Sequence, residues 1–342
     1  MKALRILLIV LVLLLVGFGL AYQGLQRWLD APLAIGQSGL SLHVPRGQPL
    51  AATAEDLAAR GVLTHPQLFS AYARLTGADA RVRAGEYELS AGTTPRTLLE
   101  QLQAGIVVQH SVTIVEGWTF RELRRALERE PLLQHVLAGR SDAELMRELG
   151  EPDLHPEGLF FPDTYFFERG TTDLELLRRA RARMRQELEA AWQDRAEDLP
   201  IDSDYQALVL ASIIEKETAL AAERPRIAGV FTERLRLGMP LQTDPTVIYG
   251  LGESFDGNLR RADLRRDGPY NTYTRTGLPP TPIAAPGAGS LRAAVRPEER
   301  GELYFVATGL PDGSHRFSKT LAEHNRAVAE YLARYRRSGA ER

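Results

Sequence analysis

An uncharged apolar run near the amino terminus constrains the fold more than any other segment. It covers Ile6–Tyr22, close to the roughly 17–25 residues that an α-helix needs to cross a bilayer. Lys2 and Arg5 precede the run and Trp28 follows it. Because basic residues favour the cytoplasmic side, we expect a single-pass anchor with a cytoplasmic amino terminus and the remaining chain outside the cytoplasm. A cleaved signal peptide is the alternative, but Leu20–Tyr22 is a poor cleavage site.

The composition excludes several classes of function. The 342 residues are enough for an anchor and two compact domains. Acidic and basic residues nearly cancel, 44 against 42, so bulk charge indicates no nucleic-acid partner. The absence of Cys excludes disulfides, thiolate metal sites and a cysteine nucleophile. The seven histidines, including His315 and His324, form no ligand-spaced cluster, so we expect neither a metal site nor a cofactor.

Three segments after the anchor share one pattern, which is a short alternating strand, a Gly/Pro turn and an amphipathic helix. A further helix is predicted around Pro66–Leu75. The pattern predicts a small α+β domain over residues 40–131, after an anchor at 1–30 and a linker at 31–39. The three segments are Leu40–Gly61, Gly85–Gly105 and His110–Glu130.

A glutamate inside an apolar helical pattern is the most unusual feature of the second half of the chain. The pattern places Glu215 on one helical face with residues such as Leu208 and Ala211. Burial of that face would remove the carboxyl from water, and desolvation favours its neutral form. A carboxylic acid that stays protonated near neutral pH can act as a general acid. The alternative is an ordinary ion pair with Lys216 or Arg226 at the edge of the helix.

A second helix and a polar segment follow this glutamate. Pro225 fits the first turn of the helix and Gly238 fits its end. We interpret the sequence LQTDPTVIYG, residues 241–250, as a polar loop that is interrupted by proline and returns towards Glu215. The polar candidates from this part of the chain are Gln242, Asp244 and Tyr249, together with Glu217 at the end of the first helix.

Two other stretches contribute candidate side chains. Glu157 precedes a dense aromatic run and could line a polar cleft, whereas Asp163 fits a turn after Pro162. Residues 268–290 are too rich in Pro, Gly and Thr for a regular element and predict a long functional loop. Its candidates offer an amide, hydroxyls and ring faces, the groups with which proteins hold sugars, and they are Asn271, Tyr273 and Thr274.

Three long blocks of the sequence resemble the endolytic murein transglycosylases, the YceG-like family. The blocks are ASIIEKET at 211–218, RLRLGMPLQTDPTVIYG at 234–250 and YNTYTRTGLPPTPIAAPG at 270–287. The resemblance implies an α+β fold class, with a transmembrane helix, a small LysM-like α+β domain that precedes the catalytic domain, and a mixed α/β catalytic domain at 132–338. It also implies that Glu215 is catalytic.

The resemblance further implies lytic cleavage of peptidoglycan. Glu215 would protonate the leaving oxygen of the β-1,4 bond between N-acetylmuramic acid and N-acetylglucosamine. As the carboxylate it would then accept a proton from the C6 hydroxyl of the muramic acid, which closes a 1,6-anhydro ring. The implied setting is the inner membrane, where the enzyme acts on nascent strands beside peptidoglycan synthases and sets strand length.

Two other functions stay open from the residues alone. A muramidase would use Glu215 together with Asp244 or Glu157 as its two carboxylates. A membrane-anchored protein that only binds the cell wall would need none of them for catalysis.

Overall fold

The computed structural model describes the backbone of residues 2–340 and the side chains of residues 4–337. Contacts divide the chain into two compact units, Met1–His110 with Phe167–Arg169 and Ser111–Phe166 with Gly170–Arg342. The elements of the first part of the chain are α1 (Lys2–Leu29), β1 (Leu40–Val44), α2 (Leu50–Ala59), α3 (Pro66–Leu75), β2 (Gly85–Leu89), α4 (Pro95–Ala104) and β3 (His110–Thr113). Those that follow are α5 (Phe120–Glu128), α6 (Asp142–Glu148), β4 (Thr164–Phe167), α7 (Asp173–Gln193), α8 (Asp204–Glu217), α9 (Arg224–Arg236), α10 (Asp244–Leu251), α11 (Arg261–Arg265), α12 (Ala288–Val295), β5 (Tyr304–Ala307), β6 (His315–Ser318) and α13 (Leu321–Ala340).

Helix α1 contains the apolar run. Within the described residues, Leu4–Leu29 is the helix long and apolar enough to cross a membrane. Its apolar side chains are exposed, as Leu7 and Leu14 illustrate. The helix is therefore compatible with a single-pass membrane anchor, and it extends past the apolar run to Leu29. The side chain of Lys2, which entered the topology prediction, lies outside the described residues.

The first unit has the strand–helix–helix–strand order β1, α2, α3, β2. The two strands pair antiparallel, with Leu42 opposite Tyr87, and both side chains are buried in a core shared with α2 and α3. The Tyr87 hydroxyl donates to the carbonyl oxygen of Arg83 at 2.6 Å. Tyr87 is therefore a core residue with a satisfied hydroxyl.

The second unit is mainly helical. Helix α12 packs against α7, α8 and α9, and the apolar residues of α8 from Ala207 to Ile214 are fully buried there. Strands β5 and β6 form an antiparallel hairpin with Phe305 opposite Phe317. Where β3 and β4 pair, the hydroxyls of Thr113 and Thr164 lie 2.9 Å apart. The chain as a whole is of mixed α+β class.

The boundary between the units differs from the predicted boundary between residues 131 and 132. Residues 111–131 belong to the second unit because their backbone pairs with it. The Gly117 N–H donates to the Ala285 carbonyl at 2.8 Å, and the Ala285 N–H donates to the Trp118 carbonyl at 2.8 Å. The third strand–helix segment, His110–Glu130, therefore lies mostly in the second unit.

The segment predicted as a polar loop at residues 241–250 forms a helix instead. The sequence LQTDPTVIYG is largely helical, because Pro245 occupies the first turn of α10, where a missing N–H breaks no helical hydrogen bond. The segment from residue 132 to 154 contains the short α6, and the segment from residue 252 to 267 contains α11.

Candidate active site

Glu215 lies in the last turn of α8, with only 5% of its side chain exposed. Its Oε1 accepts a hydrogen bond from Nη2 of Arg224 at 3.1 Å. Its Oε2 accepts a hydrogen bond from the backbone N–H of Gly287 at 2.9 Å. The buried carboxyl is therefore compensated on both oxygens.

These contacts correct the predicted surroundings of Glu215. The structure buries the side chain, as the helical pattern indicated, but the carboxyl meets a guanidinium rather than apolar groups alone. The alternative partners were also wrong. Lys216 donates to the Gly117 carbonyl at 3.1 Å, and Arg226 pairs with Glu302.

The segment before α12 is held beside α8 by a buried hydroxyl. The Ser212 Oγ accepts a hydrogen bond from the Ile283 N–H at 3.0 Å and donates to the Val209 carbonyl at 2.7 Å. This contact brings Gly287, four residues after Ile283, within reach of Glu215. The sequence analysis missed Gly287 because its role depends on a backbone group from a distant segment.

Glu217, two residues after Glu215, faces a different polar cluster. It accepts a short hydrogen bond from the Thr243 hydroxyl, and burial raises the pKa of the Glu217 carboxyl from 4.5 to about 7. Beside it, the Tyr273 hydroxyl donates to Oδ1 of Asp244 at 2.5 Å. The structure therefore brings Thr243 and Glu217 together and joins Tyr273 to Asp244, whereas the polar segment was expected to return towards Glu215.

Gln242 lies two residues before Asp244 and has an unusual backbone conformation. Its φ of +53° lies in the left-handed region, which costs a residue with a Cβ on the order of 1 kcal/mol. Its N–H donates to the Thr272 carbonyl at 3.0 Å, and Arg234 donates to its Oε1 at 3.3 Å. The side chain is exposed, so a strained backbone presents an amide to solvent beside Asp244.

Glu157, which is buried, and Tyr249, which is half-buried, form a separate pair. Glu157 is 3% exposed and accepts hydrogen bonds from the Phe120 N–H at 2.9 Å and from the Tyr249 hydroxyl at 3.1 Å. Burial raises the pKa of the Glu157 carboxyl from 4.5 to about 7. Tyr249 stacks edge-on against Tyr270, with ring centroids 4.8 Å apart. Both Glu157 and Tyr249 therefore have partners within the protein.

Asn271 and Thr274 fasten the long loop. The Asn271 Nδ2 donates to three backbone carbonyls, including that of Arg266 at 2.7 Å. The Thr274 hydroxyl donates to Asp267 at 2.8 Å. A cavity of about 450 Å³ beside Asn271 is lined by neither Glu157, Glu215 nor Glu217. Binding of substrate by Asn271 and Thr274 stays a prediction.

The histidines considered in the sequence have other contacts. His315 bonds to Glu223 at 2.8 Å through its ring, and His324 stacks on Tyr304. Within the described residues, no group of three or more His, Asp or Glu is placed to hold a metal ion.

The site centres on one buried glutamate at the end of a helix in a mixed α+β chain. The YceG-like family matches residues 42–330, which contain every candidate side chain described above. The chain belongs to the YceG-like family.

Characterised and solved relatives cover most of the chain. An endolytic murein transglycosylase of Bacillus subtilis is 33% identical over 311 residues, which cover 86% of this chain and 85% of the relative. The enzyme of the same name from Streptococcus pneumoniae is 28% identical over 348 residues, or 91% of this chain and 62% of the relative. The crystal structure of a YceG-like protein of Listeria monocytogenes is 30% identical, with a TM-score of 0.53, and the match covers 85% of this chain and 99% of that one.

The raised pKa of Glu157 predicts how stability depends on pH. A carboxyl that binds its proton more tightly in the folded state stabilises the fold below its unfolded pKa of 4.5, and this stabilisation is lost as pH rises through about 7. The shift corresponds to a loss on the order of 3 kcal/mol. Glu217 has a similarly raised pKa and keeps its own contribution in the variant. The change in the free energy of unfolding between pH 5 and pH 8, measured by urea titration in detergent, should therefore be smaller in Glu157→Gln than in the wild type by on the order of 3 kcal/mol.

The matched control is Glu253→Gln, which changes a carboxyl whose side chain is 72% exposed. This variant should keep the wild-type pH dependence. Equal pH dependence in Glu157→Gln and the wild type would contradict the assignment.

Proposed function

We propose that the chain is an endolytic murein transglycosylase, a lyase that cleaves the β-1,4 bond between N-acetylmuramic acid and N-acetylglucosamine. It acts within nascent peptidoglycan strands, leaves 1,6-anhydro ends and thereby sets strand length. Support comes from membership of the YceG-like family and from relatives named for this activity. The observation that carries the assignment to Glu215 is a buried carboxyl with fixed donors on both oxygens.

The reaction needs one carboxyl and no water. Glu215 in its acid form gives its proton to the glycosidic oxygen as the bond from C1 to that oxygen breaks. The C6 hydroxyl of the same muramic acid attacks C1, and the carboxylate accepts the hydroxyl proton. One proton leaves Glu215 and one returns, so the enzyme ends in its starting form. Because the nucleophile is tethered to the reacting sugar, no second carboxylate is required.

The other candidates divide into two roles under this proposal. Gln242, Asp244 and Tyr273 would bind sugar hydroxyls or acetamide groups, because they gather polar atoms at a partly exposed cluster beside Glu217. The remaining candidates would shape the walls of the substrate site through their contacts within the protein. They are Glu157, Tyr249, Asn271 and Thr274.

Substitution of Glu215 tests the catalytic assignment. Glu215→Gln cannot donate or accept the reacting proton, so cleavage of purified glycan strands should fall by at least ~100-fold. Mass spectrometry of the wild-type products should find anhydromuramyl ends. Reducing ends would indicate a muramidase, and the absence of cleavage would indicate a protein that only binds. The control Glu233→Gln, in a surface pair with Arg236, should cleave normally, and wild-type cleavage by Glu215→Gln would refute the assignment.

We further infer that the first unit is a LysM-like module that binds glycan. Support comes from its strand–helix–helix–strand order and from a groove of about 340 Å³. The groove is lined by the connection from β1 to α2 and by residues 79–84, with Gln48, Arg74 and Asp79 among its polar groups. The contact boundary would end this module near residue 110 rather than 131.

Filling the groove tests glycan binding. Ala51 lines it from α2, so Ala51→Trp should lower sedimentation with insoluble peptidoglycan several-fold, measured in the Glu215→Gln background to prevent cleavage. Ala59→Trp, at an exposed position of the same helix, is the matched control and should sediment normally. Equal sedimentation of both variants would argue against a binding groove.

We infer that the amino terminus is cytoplasmic and that the catalytic unit lies outside the inner membrane, beside peptidoglycan synthases. Support comes from Arg5, which precedes the apolar run of α1, and from Trp28 near the end of that helix. In intact spheroplasts, protease should remove a carboxy-terminal tag and spare an amino-terminal tag, and cross-linking should capture a synthase. The opposite protease pattern would overturn the topology.

A further inference from the structure

Arg224 lies between two carboxylates. Its Nη2 is 3.1 Å from Oε1 of Glu215 and 3.6 Å from Oε2 of Glu116. The two acids differ in exposure, because the Glu215 side chain is 5% exposed and the Glu116 side chain is 49% exposed. A single nitrogen therefore links a buried acid and a solvent-facing acid.

Backbone contacts fix Glu116 at this position. The reciprocal hydrogen bonds between Gly117 and Ala285 and between Ala285 and Trp118 hold its segment against the residues that lead into α12. The approach is so close that a Cβ at Gly287 would lie 1.8 Å from Oε1 of Glu116. The Glu116 carboxylate is therefore part of the site.

The guanidinium has an unused donor and little space. The Nε of Arg224 is buried and has no hydrogen-bond partner among the described residues. A Cβ at Gly289 would lie 2.5 Å from its Nη1. Arg224 is therefore not locked by a full set of hydrogen bonds among the described residues.

The proposed reaction explains why Arg224 lies between two carboxylates. Glu215 must begin as an acid and then become a base, whereas its ion pair with Arg224 favours the anion throughout. A cation with a second partner nearby resolves the conflict. When Arg224 pairs with Glu116, Glu215 can take up a proton from solvent, and when Arg224 returns, it stabilises the carboxylate that accepts the C6 proton.

We propose that Arg224 is a positioning residue that alternates between Glu116 and Glu215 and so sets the protonation state of the catalytic acid. The inference rests on the proposed function. Among the described residues, the groups that face Glu215 are Arg224 at the start of α9, Glu116 after β3 and the Gly287 N–H before α12. Lys216, the next residue on α8, donates to the Gly117 carbonyl instead.

The test is the pH dependence of cleavage by the full chain in detergent, at saturating glycan strands without peptides. On the alkaline side, the rate falls as the acid form of Glu215 is lost. In Glu116→Gln, Arg224 keeps only Glu215 as a partner. The alkaline limb of the pH–rate profile should therefore move to lower pH. In Arg224→Gln the cation is gone, so the limb should move to higher pH by ~1 unit or more. Arg224→Lys keeps the charge and should restore the wild-type limb in part.

The matched control is Arg226→Gln, which removes a guanidinium from the same helix that pairs with Glu302 instead and should leave the limb in place. Glu116→Gln changes a half-exposed side chain, so it remains informative if the Arg224 variants fold poorly. Limbs that stay at the wild-type pH in both Glu116→Gln and Arg224→Gln would overturn the inference. If Glu215→Gln also cleaves normally, the proposed function fails as well; if Glu215→Gln is inactive, only the alternation fails.

Discussion

A buried carboxylate must have its charge compensated, and the second unit is arranged around that requirement. Removing an ion from water is expensive unless a counter-charge and hydrogen bonds replace the lost hydration. Glu215 receives a guanidinium from Arg224 and a backbone N–H from Gly287. These donors come from the start of α9 and from the residue before α12. Helices α8, α9 and α12 must therefore pack in one fixed arrangement. The packing of α12 against α8 and α9 is therefore coupled to the electrostatics of one side chain.

The end of α8 presents two acids in contrasting surroundings. Side chains two positions apart on a helix point to different sides, so Glu215 meets Arg224 whereas Glu217 meets the Thr243 hydroxyl. A cation favours the anion, and burial beside a neutral hydroxyl favours the acid, as the raised pKa of Glu217 reflects. The same helix end therefore carries one carboxyl that is held by a guanidinium and a backbone N–H, and another whose pKa is raised by burial.

The sequence could predict those elements whose structure depends only on residues close together in the chain. Apolar periodicity identified α8, and Pro225 and Gly238 bounded α9 closely. Helix α10 was missed because Pro245 was interpreted as a break, although proline is compatible with a first turn. Arg224 and Glu116 were missed for a different reason. Their meeting with Glu215 depends on long-range packing, and no period or motif reports which distant charge will approach a buried acid.

The glycines around α12 show how such a site restricts the sequence. Gly287 has an ordinary φ of −78°, so its backbone conformation would accept any residue with a side chain. Space is what excludes one, because a Cβ there would overlap the Glu116 carboxylate, and a Cβ at Gly289 would crowd the Arg224 guanidinium. These residues were predicted to end the long functional loop, but α12 begins at Ala288. The two glycines lie where the Glu116 carboxylate and the Arg224 guanidinium approach the backbone, so the lack of a side chain at both positions follows from the ion pair beside them.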